Sequence, residues 1–400
     1  MTHIMIVAGE ASGDLHAAHL IQDLRKHKPD IHFSGIGGRE MQALGVSLID
    51  DLAQHGIMGF IEVLTHFKRI LRAFRKIKTA LLGTKPDLLI LVDYPGFNLR
   101  VARYAKQLHI PVLYYISPQL WAWKPKRMKI IQKNVENMAV ILPFEKKLYE
   151  AAGVSVRFVG HPLVPTVKTT CLESDVRKHL GLKPNSLVIG LMPGSRWVEL
   201  KHLLPTILKS CMLIRQKTPE VEFVLLLAST FTKEEIAPYL KKVPLDIKIA
   251  MEHRYDVMGI CHSLIIASGT ATLEAAILEK PMVIVYKTSI LNYMLATQLI
   301  RVKYIGLCNL LAQKMVVPEL LQHDFTAKHV SREIFRWIEA PAMWERVQKE
   351  LGSVRATLEH DRRDSSLSEF VMEILAKLSR SEGLLRAPVL QEHKSVDVAD

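Results

Sequence analysis

Residues 191–196, Leu-Met-Pro-Gly-Ser-Arg, end an apolar run with a compact turn and a permanent cation. A turn of small residues at a strand end leaves backbone amides free, and a helix starting there adds the positive end of its dipole. The Arg196 guanidinium supplies a fork suited to phosphate oxygens. The competing reading is a plain strand-to-helix turn with a solvated arginine. A second stretch repeats the design: apolar residues 264–267 lead into Ser268-Gly269-Thr270, and a helical pattern opens near Ala271. Glu274 falls one helical turn beyond Thr270 on the same face, placed to accept hydrogen bonds from ribose hydroxyls. A capping box of Thr270 or Thr272 with a nearby glutamate is the bland alternative. Two such turns, at 194–196 and 268–270, imply a nucleotide diphosphate site.

Acids occupy the equivalent places earlier in the chain. Asp93 directly follows the apolar run 88–92. An aspartate partly desolvated at a strand end has a raised pKa and suits proton abstraction from a hydroxyl. Pro95-Gly96 equally suit an Asx turn, and a sugar-binding carboxylate is a third reading. Glu10 and Asp14 flank the turn after the run 3–8, where acids disfavour phosphate and suit sugar hydroxyls. Ser12 and Asp14 are also good helix-start residues. Glu10 is the second candidate base; Asp14 and Asn98 are candidates for orienting a hydroxylated substrate.

These residues need strand ends to hold them. Apolar runs at 3–8, 88–92, 111–115, 138–142 and 156–159, then at 187–191, 221–227, 247–250, 264–267 and 282–286, alternate with helical patterns. Runs apolar throughout suit strands covered on both faces, and strand–helix alternation predicts parallel sheets, about five strands in each half. In such sheets ligands sit beyond the carboxyl ends of the strands. At 400 residues the prior is two domains. The join is expected in 160–170, where two prolines and a glycine punctuate the pattern, and His161 reads as a structural histidine there. From about 326 onward three helical patterns follow, the last able to reach back over the first domain; the tail 383–400 shows no periodicity and is expected to be disordered.

Composition narrows the partners. The chain is 49% hydrophobic and 23% charged, with a net charge of +13, which favours an anionic partner: nucleic acid, anionic lipid or phosphorylated metabolites. Cys171, Cys211, Cys261 and Cys308 form no C-x-x-C pair, which argues against a zinc site or disulfide framework and fits a reducing cytoplasm. No signal-peptide pattern and no membrane-length apolar stretch is present, so one-sided membrane attachment is the most the sequence allows. Residues 57–83 supply a candidate for it. Ile57, Phe60, Ile61, Leu64, Phe67, Leu71, Phe74 and Leu81 recur at helical spacing, beside Lys68, Arg69, Arg72, Arg75, Lys76 and Lys78. A basic amphipathic helix can lie in an anionic lipid interface; a core-facing helix with a solvated basic face is the alternative. Nucleic acid fares worse, because no RNA-binding signature is present.

Taken jointly, GEASGD (9–14), DYPGFN (93–98), SPQLWAWKPKR (117–127), VGHPL (159–163), MPGSR (192–196), SGTATLE (268–274) and NLLAQKMVVPELLQ (309–322) resemble the lipid-A-disaccharide synthase family. The match runs from Met1 to about residue 380. The family pattern reads L-P-N before the last motif, where this chain has Leu307-Cys308-Asn309. The resemblance implies the GT-B glycosyltransferase fold, an α/β architecture of two Rossmann-like doubly wound domains facing across a cleft. Residues 1–165 would form the acceptor- and membrane-facing domain, with a helix at about 365–380 packed back on it, and 166–350 the UDP-sugar domain. The implied reaction joins UDP-2,3-diacylglucosamine to 2,3-diacylglucosamine 1-phosphate, giving a β(1→6) disaccharide and UDP.

The resemblance also distributes roles. Gly194, Ser195, Arg196, Ser268, Gly269 and Thr270 would hold the diphosphate and Glu274 the ribose, with Asn309, Glu319 and Gln322 near the donor. Asp93 would be the base, with Glu10 second. Asp14, Asn98, Trp123, Lys124 and Arg127 would serve the acceptor. Single displacement predicts inversion. No D-x-D motif is present, so neither a metal nor another cofactor is expected. Because both sugars carry acyl chains, Phe60, Leu64, Phe67, Leu71 and Phe74, with Arg69, Arg72 and Arg75, are expected to meet an anionic inner-membrane surface from the cytoplasmic side. A homodimer is compatible with this reading. The rivals are a UDP-sugar epimerase of the same fold and a basic membrane- or RNA-binding protein.

Overall fold

The computed structural model describes residues 2–52, 67–121, 127–289, 303–359 and 366–386. The first sheet contains β1 (His3–Ala8), β2 (His32–Ile36), β3 (Ser47–Asp50), β4 (Leu88–Val92), β5 (Val112–Tyr115), β6 (Asn137–Val140) and β7 (Ser155–Phe158), in the order β3-β2-β1-β4-β5-β6-β7. The second contains β8 (Val188–Met192), β9 (Glu222–Leu226), β10 (Ile247–Ala250), β11 (Ser263–Ala267), β12 (Met282–Tyr286) and β13 (Glu319–Leu321), in the order β10-β9-β8-β11-β12-β13. The strand pairs are parallel, with Ala8 opposite Val92 and Ile266 opposite Met192. Every residue of β4, β8 and β11 is buried, as strands covered on both faces require.

Three strands carry no continuous apolar run and lie beyond the sequence expectation: β2, β3 and β13. In β2 the break is Ser34-Gly35. Gly35 is there because a Cβ would sit 1.8 Å from the Ile6 carbonyl oxygen at its φ of +151°.

Helices α1 (Ala11–His27), α2 (Arg39–Ala43), α3 (Phe67–Thr84), α4 (Pro95–Gln107), α5 (Met128–Asn134) and α6 (Pro143–Ala151) accompany the first sheet. Around the second run α7 (Glu173–Leu180), α8 (Trp197–Lys217), α9 (Lys233–Leu240), α10 (Arg254–Ile260), α11 (Ala271–Ile277), α12 (Leu307–Ala312), α13 (Ala327–Glu339) and α14 (Pro341–Leu358). The last helix, α15 (Leu367–Arg386), returns to the first sheet. Its Phe370, Val371, Ile374 and Leu375 pack with Ile4, Leu20, Ile21 and Leu24, and Glu373 receives a two-pronged bond from Arg157 at 3.0 and 2.8 Å. α15 continues past Gly383 to Arg386, so the unstructured tail expected from 383 starts too early. A smaller apolar cluster, Leu142, Val167, Leu273, Ile277 and Leu358, joins elements of the two halves.

The described part of the amphipathic segment, α3, turns its apolar side chains toward the core. In α3, Ala73, Ile77 and Leu81 are fully buried, and Ile70 and Phe74 pack against the same cluster. The Phe74 ring meets Phe97 edge-on at 5.9 Å. Full burial stabilises an apolar side chain by about 1.5–3 kcal/mol, so this part of the stripe turns to the sheet, with Phe74 half-buried against it. Arg69 is tied to Asp51 at 2.8 Å and Lys76 to Asp50 at 2.9 Å, while Lys68, Arg72 and Arg75 remain exposed. Leu71 is half-buried. Phe60 and Leu64 lie outside the described residues, as does the side chain of Phe67. Among the described residues no helix is long and apolar enough to cross a membrane.

Candidate active site

In each sheet the strand order reverses beside its first strand: between β1 and β4, and between β8 and β11. Flanking helices diverge at such a switch point and open a crevice at the carboxyl ends. Glu10 and Asp93 stand at the first of these points, and the turns 194–196 and 268–270 at the second.

Asp93 and Tyr94 both adopt left-handed backbone, with φ of 44° and 46°. Non-glycine residues there cost about 1–3 kcal/mol each and persist only where neighbours enforce them. The enforcement is visible. The Asp93 carbonyl accepts from the Tyr114 hydroxyl at 2.6 Å and from Asn98 Nδ2 at 2.8 Å, and its amide donates to the Tyr115 carbonyl at 2.9 Å. These bonds are made by the Asp93 main chain; its carboxylate accepts from the Tyr94 backbone amide and the residue lines the crevice. Burial pushes the Asp93 carboxyl up to about 6, and Glu10 is raised by its own burial and then by the Asp93 charge. A carboxyl near 6 with a second raised acid beside it suits proton transfer.

Beside Asp93 lies a cavity of about 260 Å³, lined also by Ile116, Ser117, Gln119, Arg127 and Glu145. Glu145 escaped sequence reading. It is buried, accepts from Ser117 Oγ at 2.7 Å and Trp121 Nε1 at 3.1 Å, and desolvation pushes it up to about 7. Its one local signal is its place as third residue of α6, after Pro143, where it also closes a capping bond from the Leu142 amide at 3.3 Å. Trp121 packs edge-on against Phe144 at 5.3 Å, which makes it a packing residue.

The second switch point opens a cavity of about 430 Å³ lined by Gly194, Ser195, Arg196, Glu199, Ser268, Gly269, Thr270, Arg254 and Glu274, among others. Gly194 has a φ of +103°, and a Cβ there would strike Glu199 Oε2 at 2.3 Å. That carboxylate accepts from the Ser195 and Arg196 amides at 3.1 and 3.3 Å, and its other oxygen lies 3.6 Å from the Arg196 guanidinium. The anion-seeking groups of this turn thus already hold an anion, one belonging to α8 itself. Among the described residues the Gly269 and Thr270 amides have no hydrogen-bond partner. Ser268 donates its hydroxyl to the Ile305 carbonyl at 3.2 Å. Glu274 is buried and pairs with Arg254 at 2.6 Å; desolvation raises its pKa, with the arginine opposing. Arg254, at the carboxyl end of β10, is the second cavity residue that the motifs did not disclose.

Several candidates turn out to be braces. Asp14 is buried and accepts from the amides of Gly38, Glu40 and Met41 at 2.7, 2.9 and 3.2 Å, capping α2, so it is withdrawn as an acceptor ligand. Asn98 is fully buried and bridges the carbonyls of Val7, Val92 and Asp93, so it positions Asp93 instead of touching substrate. Asn309 is fully buried and bonded to Val316, Val317 and Glu319. Glu319 grips the Ile305 and Gly306 amides at 2.9 and 3.0 Å, fixing the carbonyl that Ser268 meets. Gln322 clasps Thr288 through both its amide atoms. In this structure all three brace the donor-side loops. Trp123 and Lys124 lie outside the described residues. His161 is buried in the connector, where its ring accepts from the Leu163 amide at 3.2 Å.

A sequence profile described as lipid-A-disaccharide synthetase matches residues 4–374. The lipid-A-disaccharide synthase of Geobacter sulfurreducens is 44% identical over 374 residues, 94% of this chain and 97% of that protein. Lipid-A-disaccharide synthase 1 of Legionella pneumophila strain Lens is 44% identical over 372 residues, covering 93% and 97%. Among solved structures, the UDP-GlcNAc 2-epimerase of Neisseria meningitidis superposes with a TM-score of 0.59 at 15% identity, covering 94% of this chain and all of that one. MurG of Acinetobacter baumannii gives 0.55 at 14%, with coverage of 94% and 100%. These two likenesses concern the fold, and they agree with a GT-B pair of Rossmann-like domains. The profile and the near full-length identity to curated relatives go further: the chain belongs to the lipid-A-disaccharide synthetase family.

Proposed function

We propose that this chain is an inverting glycosyltransferase that joins UDP-2,3-diacylglucosamine to 2,3-diacylglucosamine 1-phosphate, releasing UDP. The reading rests on family membership together with one structural observation. The first switch point carries a carboxyl raised to about 6, and the second carries a polar cavity with two arginines and, among the described residues, two unpaired amides. Asp93 accepts the proton of the acceptor's 6-hydroxyl as that oxygen attacks the anomeric carbon, and the bond from that carbon to the diphosphate breaks. Charge moving onto the diphosphate is met by Arg196 and the Gly269 and Thr270 amides, fixed in place before reaction. Glu274 takes the ribose hydroxyls and Arg127 the acceptor. One displacement inverts the α-linked donor to a β-linked product. The domain join falls at 160–170, and exposed Lys68, Arg72 and Arg75 meet anionic lipid at the cytoplasmic face of the inner membrane.

The decisive experiment incubates the purified chain with both substrates and follows products by mass. A disaccharide 1-phosphate and equimolar UDP are expected, with no UDP when the acylated acceptor is omitted. UDP-sugar isomerisation, or UDP release that ignores the acceptor, would replace this reading with an epimerase or a hydrolase.

A further inference from the structure

Cysteine spacing argues against a metal site, yet the fold assembles a ligand set from residues up to 85 positions apart. Cys171 is exposed, whereas Cys211, Cys261 and Cys308 are buried. Its Sγ lies 3.8 Å from His253 Nδ1, and the same nitrogen lies 3.7 Å from Asp256 Oδ2. All three ligand atoms fall within 4.8 Å of one another. We infer that Cys171, His253 and Asp256 bind a zinc-class divalent cation, at the point where the connector between the sheets meets α10.

The geometry favours coordination over nucleophilic catalysis. A cysteine–histidine–acid relay uses the two ring nitrogens separately, one toward each partner. Here Nδ1 alone faces both thiol and carboxylate, and the three ligand atoms gather within 4.8 Å of one another. Tetrahedral zinc with ordinary sulfur, nitrogen and oxygen bond lengths places its ligand atoms about 3.4–3.6 Å apart. The separations of 3.7 and 3.8 Å about His253 need only slight contraction, and the thiol and carboxylate, within 4.8 Å of each other, would close by up to about 1.2 Å. A thiolate, an imidazole and a carboxylate form a borderline-soft set, which selects zinc over magnesium or calcium.

The set is held in advance. Asp256 is buried and accepts from the Cys171 amide at 2.8 Å and the Thr170 hydroxyl at 3.2 Å, so one side chain fastens the cysteine's backbone and offers an oxygen to the cation. His253 stands in left-handed conformation at the start of α10, with a φ of 50°. Both Cys171 and His253 border a cavity of about 500 Å³ lined also by Asp175, His179 and Glu252, which leaves the fourth position to water or one of these groups. Binding releases the thiol proton to solvent and clamps the connector to α10. Met251 and Glu252 line this cavity and the donor-side cavity alike, so the cation stiffens a wall shared by both.

The test titrates the full-length chain, kept reduced without added thiol, with cobalt(II) and then zinc(II). A thiolate-to-cobalt charge-transfer band saturating at one equivalent, and bleached by zinc, is expected. Cys171→Ser should abolish the band. His253→Asn, chosen because asparagine tolerates the left-handed backbone, should weaken cobalt binding at least about 10-fold, the lower end of the loss seen when only an outer-sphere partner is removed. Both variants should match the parent in far-ultraviolet circular dichroism and in metal-free turnover. Absence of a charge-transfer band in the parent, or its survival in Cys171→Ser, overturns the assignment.

Discussion

Replacing Asp93 by asparagine should raise stability and destroy turnover, each with its own pH signature. Burial lifts this carboxyl from 3.8 to about 6, which means the ionised form costs the folded state about 3 kcal/mol relative to the unfolded chain. A raised acid binds more protons folded than unfolded between those two values, so its presence erodes stability as pH rises through that window. The cost is absent below 3.8 and complete above 6. Asp93→Asn should therefore gain little near pH 4 and up to about 3 kcal/mol at pH 7–8. Relaxation of Glu10, whose pKa Asp93 also raises, adds to the gain. Urea unfolding of parent and variant at pH 5, 6 and 8 measures the difference. In activity, the parent's kcat/KM should climb through an ionisation near 6 to a plateau, and the variant should fall about 10²–10⁴-fold with UDP affinity preserved. A gain over the parent no larger at pH 8 than at pH 5 would show that the carboxyl is not desolvated. Retained turnover would remove it as the base.

Asp14→Ala strips three amides of their acceptor and should cost about 1–3 kcal/mol while leaving acceptor KM unchanged. A raised KM at unaltered stability would restore it as an acceptor ligand. Glu199→Gln keeps an oxygen for the Ser195 and Arg196 amides but removes a charge from the diphosphate's path, worth about 1 kcal/mol; donor KM should fall about fivefold, and a rise would show that the charge helps the turn to bind. Arg72→Glu with Arg75→Glu should weaken binding to anionic vesicles by at least about 2 kcal/mol, roughly 30-fold. Equal binding by parent and double variant in flotation assays would place the lipid contact elsewhere.

The features legible in the sequence are those whose cause is local. β4, β8 and β11 announce themselves as unbroken apolar runs, and the turns after them carry the candidate chemistry at their ends. Partnerships made across long separations stayed hidden. Asp14 looks like a free acid beside a strand end, but amides 24–27 residues away consume it. Asn98 reads as a polar residue at the start of a helix, and only the pairing of β1 with β4 brings the Val7 carbonyl to it from 91 positions away. Phe74 belongs to a stripe that suits lipid and sheet equally, so periodicity could not choose between them. Arg254 gains its meaning from Glu274, a residue on another helix.

The division of charge between the sheets has a chemical logic. A base that must work near neutrality needs poor solvation and acidic neighbours, because a nearby cation would drag its pKa down by one to three units. A diphosphate needs the opposite: arginines and bare amides. On one sheet the two demands would spoil each other. Here burial raises Asp93 and the Asp93 charge adds to the rise of Glu10 at the first switch point, while Arg196 and Arg254 stand at the second and are already balanced by Glu199 and Glu274. Each site thus holds its electrostatics independently of the other.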